Sequence, residues 1–249
     1  MDTILNVSHR LSRRCSLIYA IDSISNSEFE PLFKKGLTLL PPEFAHRIER
    51  IRSADDAMRA CFGGLLSRLV IAESIGIPWH TVTFREGSHG KPLYAGDESI
   101  WFNITHSGDW VGCAVAHRPI GLDIQRIRSV HPALPRRVLS PTEQEYLMHS
   151  PDVDRSSTFI RLWCLKESFL KAIGSGLATQ WRGISIIIDG KGPLLETPML
   201  PFPVRFIELK TGSDYRGAVC MFGDIETTEL ILISPEDLRI KLDIIATPH

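Results

Sequence analysis

Asp123 stands inside the apolar run Ile120-Gly-Leu-Asp-Ile-Gln125. Side chains alternate along a strand, so Leu122 and Ile124 would enter a core while Asp123 and Gln125 share the other face. A carboxylate there is costly unless it is hydrogen-bonded, paired or holding a cation. Forty residues on, Trp163, Glu167 and Lys171 fall at i, i+4 and i+8 of a helical run and share one face. That spacing also describes an ordinary surface ion pair. His106 follows a short apolar run and sits in Asn103-Ile-Thr-His-Ser-Gly108, where a turn can offer it to a ligand. Lys91 lies between Gly90 and Pro92. Glycine allows close approach, proline stiffens the loop, and a lysine there suits a phosphate as a point charge, or is a plain exposed turn residue. Glu143 comes three residues after Ser140, the spacing of a capping box at a helix start.

The elements that must position these groups are legible in part. Residues 15–21 read as a strand. Pro41-Pro42-Glu43 opens a helix to about Arg52, and Ser53 starts a second through about Ser74. Residues 81–86 read as a strand, and 87–92 as a turn. Three apolar runs, at 99–105, 110–116 and 119–125, resemble an antiparallel meander. A helix begins at Ser140, and another covers Thr158–Ile173, with Leu162, Leu165, Phe169 and Ile173 as its buried stripe. It should stop at Gly174-Ser-Gly176. Strands follow near 184–188, 203–209, 216–222 and 229–233. A short echo links Asp109-Trp-Val-Gly-Cys-Ala-Val-Ala116 with Asp214-Tyr-Arg-Gly-Ala-Val-Cys-Met221. The residues after Leu238 carry no readable motif.

The 249 residues hold 28 Lys plus Arg against 29 Asp plus Glu, a net charge of −1. That balance argues against a nucleic-acid binder. Apolar residues make up 43%, as in a globular protein, and no run of about 18 of them exists to span a membrane. Arg10, Arg13 and Arg14 precede an apolar run broken by Asp22, which reads as a strand rather than a signal peptide. The five cysteines, Cys15, Cys61, Cys113, Cys164 and Cys220, have no paired spacing. Reduced thiols and a cytoplasmic location are expected.

Together, in this order, the segments resemble those of the Sfp-type 4′-phosphopantetheinyl transferases. The resemblance rests on GKP at 90–92, FNITHSG at 102–108, IGLDIQ at 120–125, LSPTE at 139–143 and WCLKESFLKAIGSGL at 163–177. Softer similarity extends from PPEFAHRIER near residue 41 to ISPEDL at 233–238.

The resemblance implies an α+β fold of two similar halves, 1–117 and 118–249, packed as a pseudo-dimer with the active site in the cleft between them. It implies transfer of the phosphopantetheine arm of coenzyme A to a serine of an apo acyl or peptidyl carrier protein, with release of adenosine 3′,5′-bisphosphate. Attack at a phosphorus builds negative charge on the leaving phosphate, so a divalent cation and fixed positive groups would dominate. By resemblance, Asp123 and Glu167 hold Mg²⁺ or Mn²⁺, Lys171 contacts the diphosphate, and Glu143 is the general base. Thr105 and His106 bind coenzyme A phosphate, and Gly90, Lys91 and Pro92 hold its adenine end. A monomer is expected.

Two positions depart from the family pattern. A second acid often follows the metal-binding aspartate by two residues; here it is Gln125, an amide that can still offer an oxygen. Two lysines commonly serve the adenosine 3′-phosphate; here those positions are Phe44 and Arg47, with Arg50 and Arg59 nearby. Gln125 leaves open an alternative, a coenzyme A-binding relative with an impaired metal site and little turnover. A metal-dependent phosphohydrolase would need neither the GKP loop nor the Trp163–Lys171 pattern. Between Ile124 and Thr142 lie four arginines, Arg126, Arg128, Arg136 and Arg137, and no acid. This segment would suit an acidic carrier, or it is a solvated loop.

Overall fold

The computed structural model describes residues 15–87, 90–174, 181–196, 202–223 and 227–246. Each half repeats one plan. In the first, β1 (Cys15–Ile21) is followed by α1 (Phe29–Leu39), α2 (Pro42–Glu49) and the long α3 (Ala54–Ile75). The hairpin β2 (Phe84–Glu86) and β3 (Pro92–Tyr94) leads to β4 (Trp101–Ser107) and β5 (Trp110–Ala116). In the second half, β6 (Ile120–Arg126) precedes α4 (Leu134–Val138), α5 (Pro141–Met148) and α6 (Arg155–Ile173). The hairpin β7 (Ser185–Asp189) and β8 (Gly192–Glu196) leads to β9 (Val204–Leu209) and β10 (Tyr215–Phe222). β5 lies antiparallel between β1 and β4, and β10 lies antiparallel between β6 and β9. The sequence echo falls on these two central strands, and Trp110 and Tyr215 touch with ring centroids 6.2 Å apart.

The helices lie outside and the sheets inside. Alternation along β5 sends Val111, Cys113 and Val115 into the first core, with α3, and Trp110, Ala114 and Ala116 into a core shared with the second sheet. Along β6, Ile120, Leu122 and Ile124 enter that shared core. Gly121 therefore faces α6, and a Cβ there would stand 1.9 Å from the Ser168 carbonyl oxygen. α6 is capped by Gly174 at φ 70°, as its sequence predicts; Ser175 and Gly176 lie outside the described residues.

Several expectations change. The meander is broken, because β6 pairs with β10 in a separate sheet rather than with β5. β4 and β6 nonetheless run side by side, joined by side chains. Asn103 Oδ1 accepts from the Leu122 amide at 2.8 Å, Thr105 Oγ1 from Ile124 at 3.2 Å, and Ser107 Oγ from Arg126 at 3.1 Å. Three backbone donors on an edge strand are thereby satisfied. The strand expected over 81–86 is shorter, since Trp79–Thr81 forms a 3₁₀ turn. Ile173, expected in the buried stripe, is 42% exposed.

α1 and the closing helix were not foreseen; the strand expected near 229–233 is present, but its partner was not anticipated. β11 (Thr227–Leu232) pairs parallel with β1, at the edge of the first sheet. α7 (Pro235–Ala246) follows, with Leu238 and Leu242 fully buried in the first core. So the last elements of the second half, by sequence, pack on the first. Among the described residues no helix is long and apolar enough to cross a membrane. Cys61, Cys113, Cys164 and Cys220 are buried free thiols.

Candidate active site

Asp123 is 1% exposed and takes bonds from both halves. Lys171 Nζ, on α6, lies 2.7 Å from Asp123 Oδ1 and also donates to the Leu122 carbonyl at 3.0 Å. Thr105, on β4, donates its hydroxyl to Asp123 Oδ1 at 3.4 Å while accepting from Ile124. Glu167 is one turn before Lys171. Burial, and then the charge of Asp123, push its carboxyl up to about 7, against the pull of Lys171. Two neighbouring carboxylates served by one ammonium form a hard-oxygen pair that suits Mg²⁺, a cation that keeps waters and takes phosphate oxygens. Among the described residues no group of three His, Cys, Asp or Glu side chains forms a fuller set of ligands.

Gln125 completes the group differently from an acid. Its Oε1 accepts from Ser107 at 3.3 Å, and its Nε2 donates to both Asp123 oxygens at 3.3 Å. The amide thus faces Asp123 with its donor side. Ser107, which fixes that orientation, was not singled out in the sequence.

Positive groups ring this point. Lys91 donates to the Lys171 carbonyl, so the GKP loop reaches the end of α6. Burial, and then Lys171, lower its pKa to about 8. Gly90 holds φ 75°, the left-handed turn that delivers Lys91; Ser88 and His89 lie outside the described residues. His106 stands at the end of β4. Desolvation, then the charges of Arg59 and Lys171, hold its pKa below the usual value. Arg59 is anchored by Asp56 at 2.6 Å and the Gly108 carbonyl at 2.9 Å.

A cavity of about 630 Å³ is lined by Arg47, Pro92 and Ile104, among others. Pro92 is next to Lys91, and Ile104 is two residues before His106 on the same face of β4. The cavity thus reaches the chain neighbours of Lys91 and His106, while Asp123, Glu167 and Lys171 are not among its lining residues.

Glu143 is not brought to this group. It is fully buried and forms the capping box with Ser140. Its Oε2 lies 2.6 Å from Lys166 Nζ, and its Oε1 accepts from the Ile186 amide at 2.8 Å. Lys166 is equally buried, and burial lowers its pKa despite the pull of Glu143. A base must reach the incoming hydroxyl, and here both carboxylate oxygens are occupied internally. Lys166, one residue before Glu167, was also not singled out; a lysine on the buried side of a helix stripe is the signal for such a pair.

Comparison with known proteins agrees along most of the chain. Residues 119–220 match the 4′-phosphopantetheinyl transferase superfamily, and residues 27–118 match the N-terminal region of 4′-phosphopantetheinyl transferases. The chain is 36% identical to 4′-phosphopantetheinyl transferase psf-1 of Bacillus pumilus over 198 residues, 78% of this chain and 84% of that one. It is 36% identical to 4′-phosphopantetheinyl transferase gsp of Aneurinibacillus migulanus, over 76% of this chain and 79% of that one. Against 4′-phosphopantetheinyl transferase Sfp of Bacillus subtilis (strain 168), the identity is 28% over 89% of this chain and 97% of that one. With its carboxylate pair and basic ring assembled from two repeated halves, this chain belongs to the 4′-phosphopantetheinyl transferase superfamily.

Proposed function

We propose that the chain transfers the phosphopantetheine arm of coenzyme A to a serine of an apo acyl or peptidyl carrier protein, releasing adenosine 3′,5′-bisphosphate. The observation that carries this reading is the bonded group of Asp123, Lys171, Thr105 and Lys91, with Glu167 and His106 close enough to feel its charges. In this reading Asp123 and Glu167 hold Mg²⁺, with Mn²⁺ as a substitute. The bound cation would neutralise charge that grows on the leaving phosphate. Lys171, Lys91 and His106 bind the diphosphate, and the Lys171–Asp123 and Thr105–Asp123 bonds fix the carboxylate beforehand. One chain supplies both sides of the site, so a monomer is the working unit, and its buried thiols suit the cytoplasm.

The test is to incubate the protein with coenzyme A, Mg²⁺ and a panel of apo-carriers and weigh the carriers. A gain of one phosphopantetheine that chelator abolishes is expected. Coenzyme A binding without gain on any carrier would favour the second reading, a binding protein with little turnover. That reading has one observation behind it, the donor side of Gln125 turned toward Asp123.

Gln125→Glu examines the metal assignment. A carboxylate can still accept from Ser107 but cannot donate to Asp123, so it adds a negative charge at the pair. We expect the Mg²⁺ concentration for half-maximal rate to fall at least about threefold, a few tenths of a kcal/mol or more. An unchanged requirement sinks the idea.

The carrier surface is read from charge. Arg126, Arg128, Arg136 and Arg137 are all exposed, the last two on α4, and none pairs with a carboxylate among the described residues. Carriers with acidic helices would be steered there. Reversing Arg136 and Arg137 to glutamate should raise KM for an acidic carrier about tenfold or more and leave KM for coenzyme A unchanged. Equal KM for the carrier removes this surface from the reading.

A further inference from the structure

The two halves can be matched residue by residue. The sequence echo sets Cys113 on β5 against Ala218 on β10. Ala218 stands opposite Asp123 in the second sheet, and Cys113 stands opposite Tyr19 in the first. Tyr19 therefore holds on β1 the place that Asp123 holds on β6. The flanking residues agree, since Ile18 and Ala20 enter the shared core as Leu122 and Ile124 do. The long helices match as well. α3 ends at Gly76 with φ 71° and α6 at Gly174 with φ 70°, and Glu73 and Lys171 each lie three residues earlier. Lys171 donates to Asp123, and Tyr19 donates to Glu73. A second strand–helix pair thus stands at the counterpart of the candidate active site, with the acid moved from the strand to the helix.

This counterpart is covered by the end of the chain. β4 runs beside the edge of β6, whereas the equivalent edge of β1 is taken by β11. Glu167 has Leu69 as its counterpart, four residues before Glu73 and buried in the first core. Lys241, on α7, donates to Glu73 Oε1, while Tyr19 donates to Oε2. The Lys241 ammonium also lies 5.5 Å from the centroid of the Tyr19 ring, and its side chain is 19% exposed. Burial, and then the charge of Glu73, push the Tyr19 phenol far above its usual range, so it remains a neutral donor. A carboxylate beside an aromatic ring is a seat for an ammonium ion.

We propose that β11 and α7 lock this second cleft of the repeated fold, with Lys241 as the cation that fills the Glu73–Tyr19 seat from within the chain. The inference goes beyond the transfer reaction and does not depend on it. Tethering makes a weak contact lasting, because a linked group is present at an effective concentration that a free ion does not reach. Leu238 and Leu242 hold the same helix in the first core, and Lys35 reaches Asp243 from α1, so an anchored element delivers the ammonium. The seat sets the class of ligand. It is a primary alkylammonium, which can donate to the carboxylate while its stem covers the ring. Removing the lysine should leave the seat able to take one from solution.

The experiment is thermal melting of the wild type and of Lys241→Ala in two solutions. One holds propylammonium chloride, the fragment that the substitution removes. The other holds sodium chloride and 1-propanol, every solute at about 0.3 M, so that screening and the propyl group are matched. In the second solution Lys241→Ala should melt about 3 °C or more below the wild type, since Glu73 loses its ammonium. Propylammonium should restore about half of that loss or more, as a weak ligand of the folded state alone does. The wild type should melt within about 1 °C in the two solutions. Equal melting of Lys241→Ala in both, or a variant as stable as the wild type, overturns the lock. Lys241→Arg and Lys241→Met cover the case in which Lys241→Ala does not fold, because both keep a long stem. Lys241→Arg should melt within about 1 °C of the wild type, and Lys241→Met about 2 °C or more below it. Lys241→Met melting as high as Lys241→Arg likewise overturns the lock.

Discussion

Glu167→Gln keeps the fold and loses phosphopantetheine transfer by about a thousandfold or more, about 4 kcal/mol at the barrier. The substitution conserves size and removes one of two negative charges. Glu167 accepts no hydrogen bond among the described residues, and its principal charged neighbours are Asp123 and Lys171. Its carboxylate therefore does little for the free protein. It is crowded by burial and repelled by Asp123, so the amide should leave the melting temperature unchanged or higher. A cation bridging the pair would lose half its protein charge, and Lys171 would then neutralise most of Asp123 by itself. The measurements are the rate of carrier mass gain at saturating coenzyme A and a thermal melt. A variant within tenfold of wild-type rate, or one that melts clearly lower, would falsify the assignment.

Gly121→Ala should damage the fold itself. The new Cβ would stand 1.9 Å from the Ser168 oxygen and 2.5 Å from the Ala172 nitrogen, both backbone atoms of α6. Neither can swing aside as a side chain can, so β6 and α6 must part. Overpacking of this kind costs about 3 kcal/mol or more. Activity should fall with it, because Asp123 is two residues along the same face and Lys171 lies on the helix that would be displaced. The control is Gly183→Ala, where a Cβ meets nothing within 4 Å. Urea unfolding of both variants decides the matter. Equal midpoints would mean that the strand and helix have slack that this packing denies.

Part of the site was legible in the sequence. Asp123 in its strand run, and Glu167 and Lys171 one helix turn apart, are relations that local periodicity records, although the bond between Lys171 and Asp123 joins residues 48 apart. Thr105 and Ser107 needed more. Their roles depend on β4 lying beside β6, a relation that short-range apolar runs suggested wrongly as a meander. The pairing of β1 with β11 spans more than two hundred residues and leaves no local trace. α1 has apolar residues at helical spacing, Phe29, Leu32 and Gly36 facing the core, but no side chain caps its start, so it lacked the usual signal. α7 did carry one, since Ser234 accepts from the Asp237 amide at 3.1 Å. Glu143 had the spacing of a capping box, which it forms, and only the resemblance made it a base; neither reports that Lys166 claims its carboxylate.

The parallel strand β11 and helix α7 also govern when the protein becomes whole. A ribosome releases the first half's β1, α3 and β5 early, but one edge of their sheet and part of their apolar floor are filled only by residues 227–246. Until those residues emerge, β1 offers an open edge to any strand nearby, a hazard that domains folding during synthesis meet often. The second half is made in the meantime. The second sheet, which carries the candidate carboxylate pair with α6, is complete at β10, and closure of the first sheet follows directly with β11. A nascent chain halted short of β11 would hold Asp123, Glu167 and Lys171 against an unfinished partner.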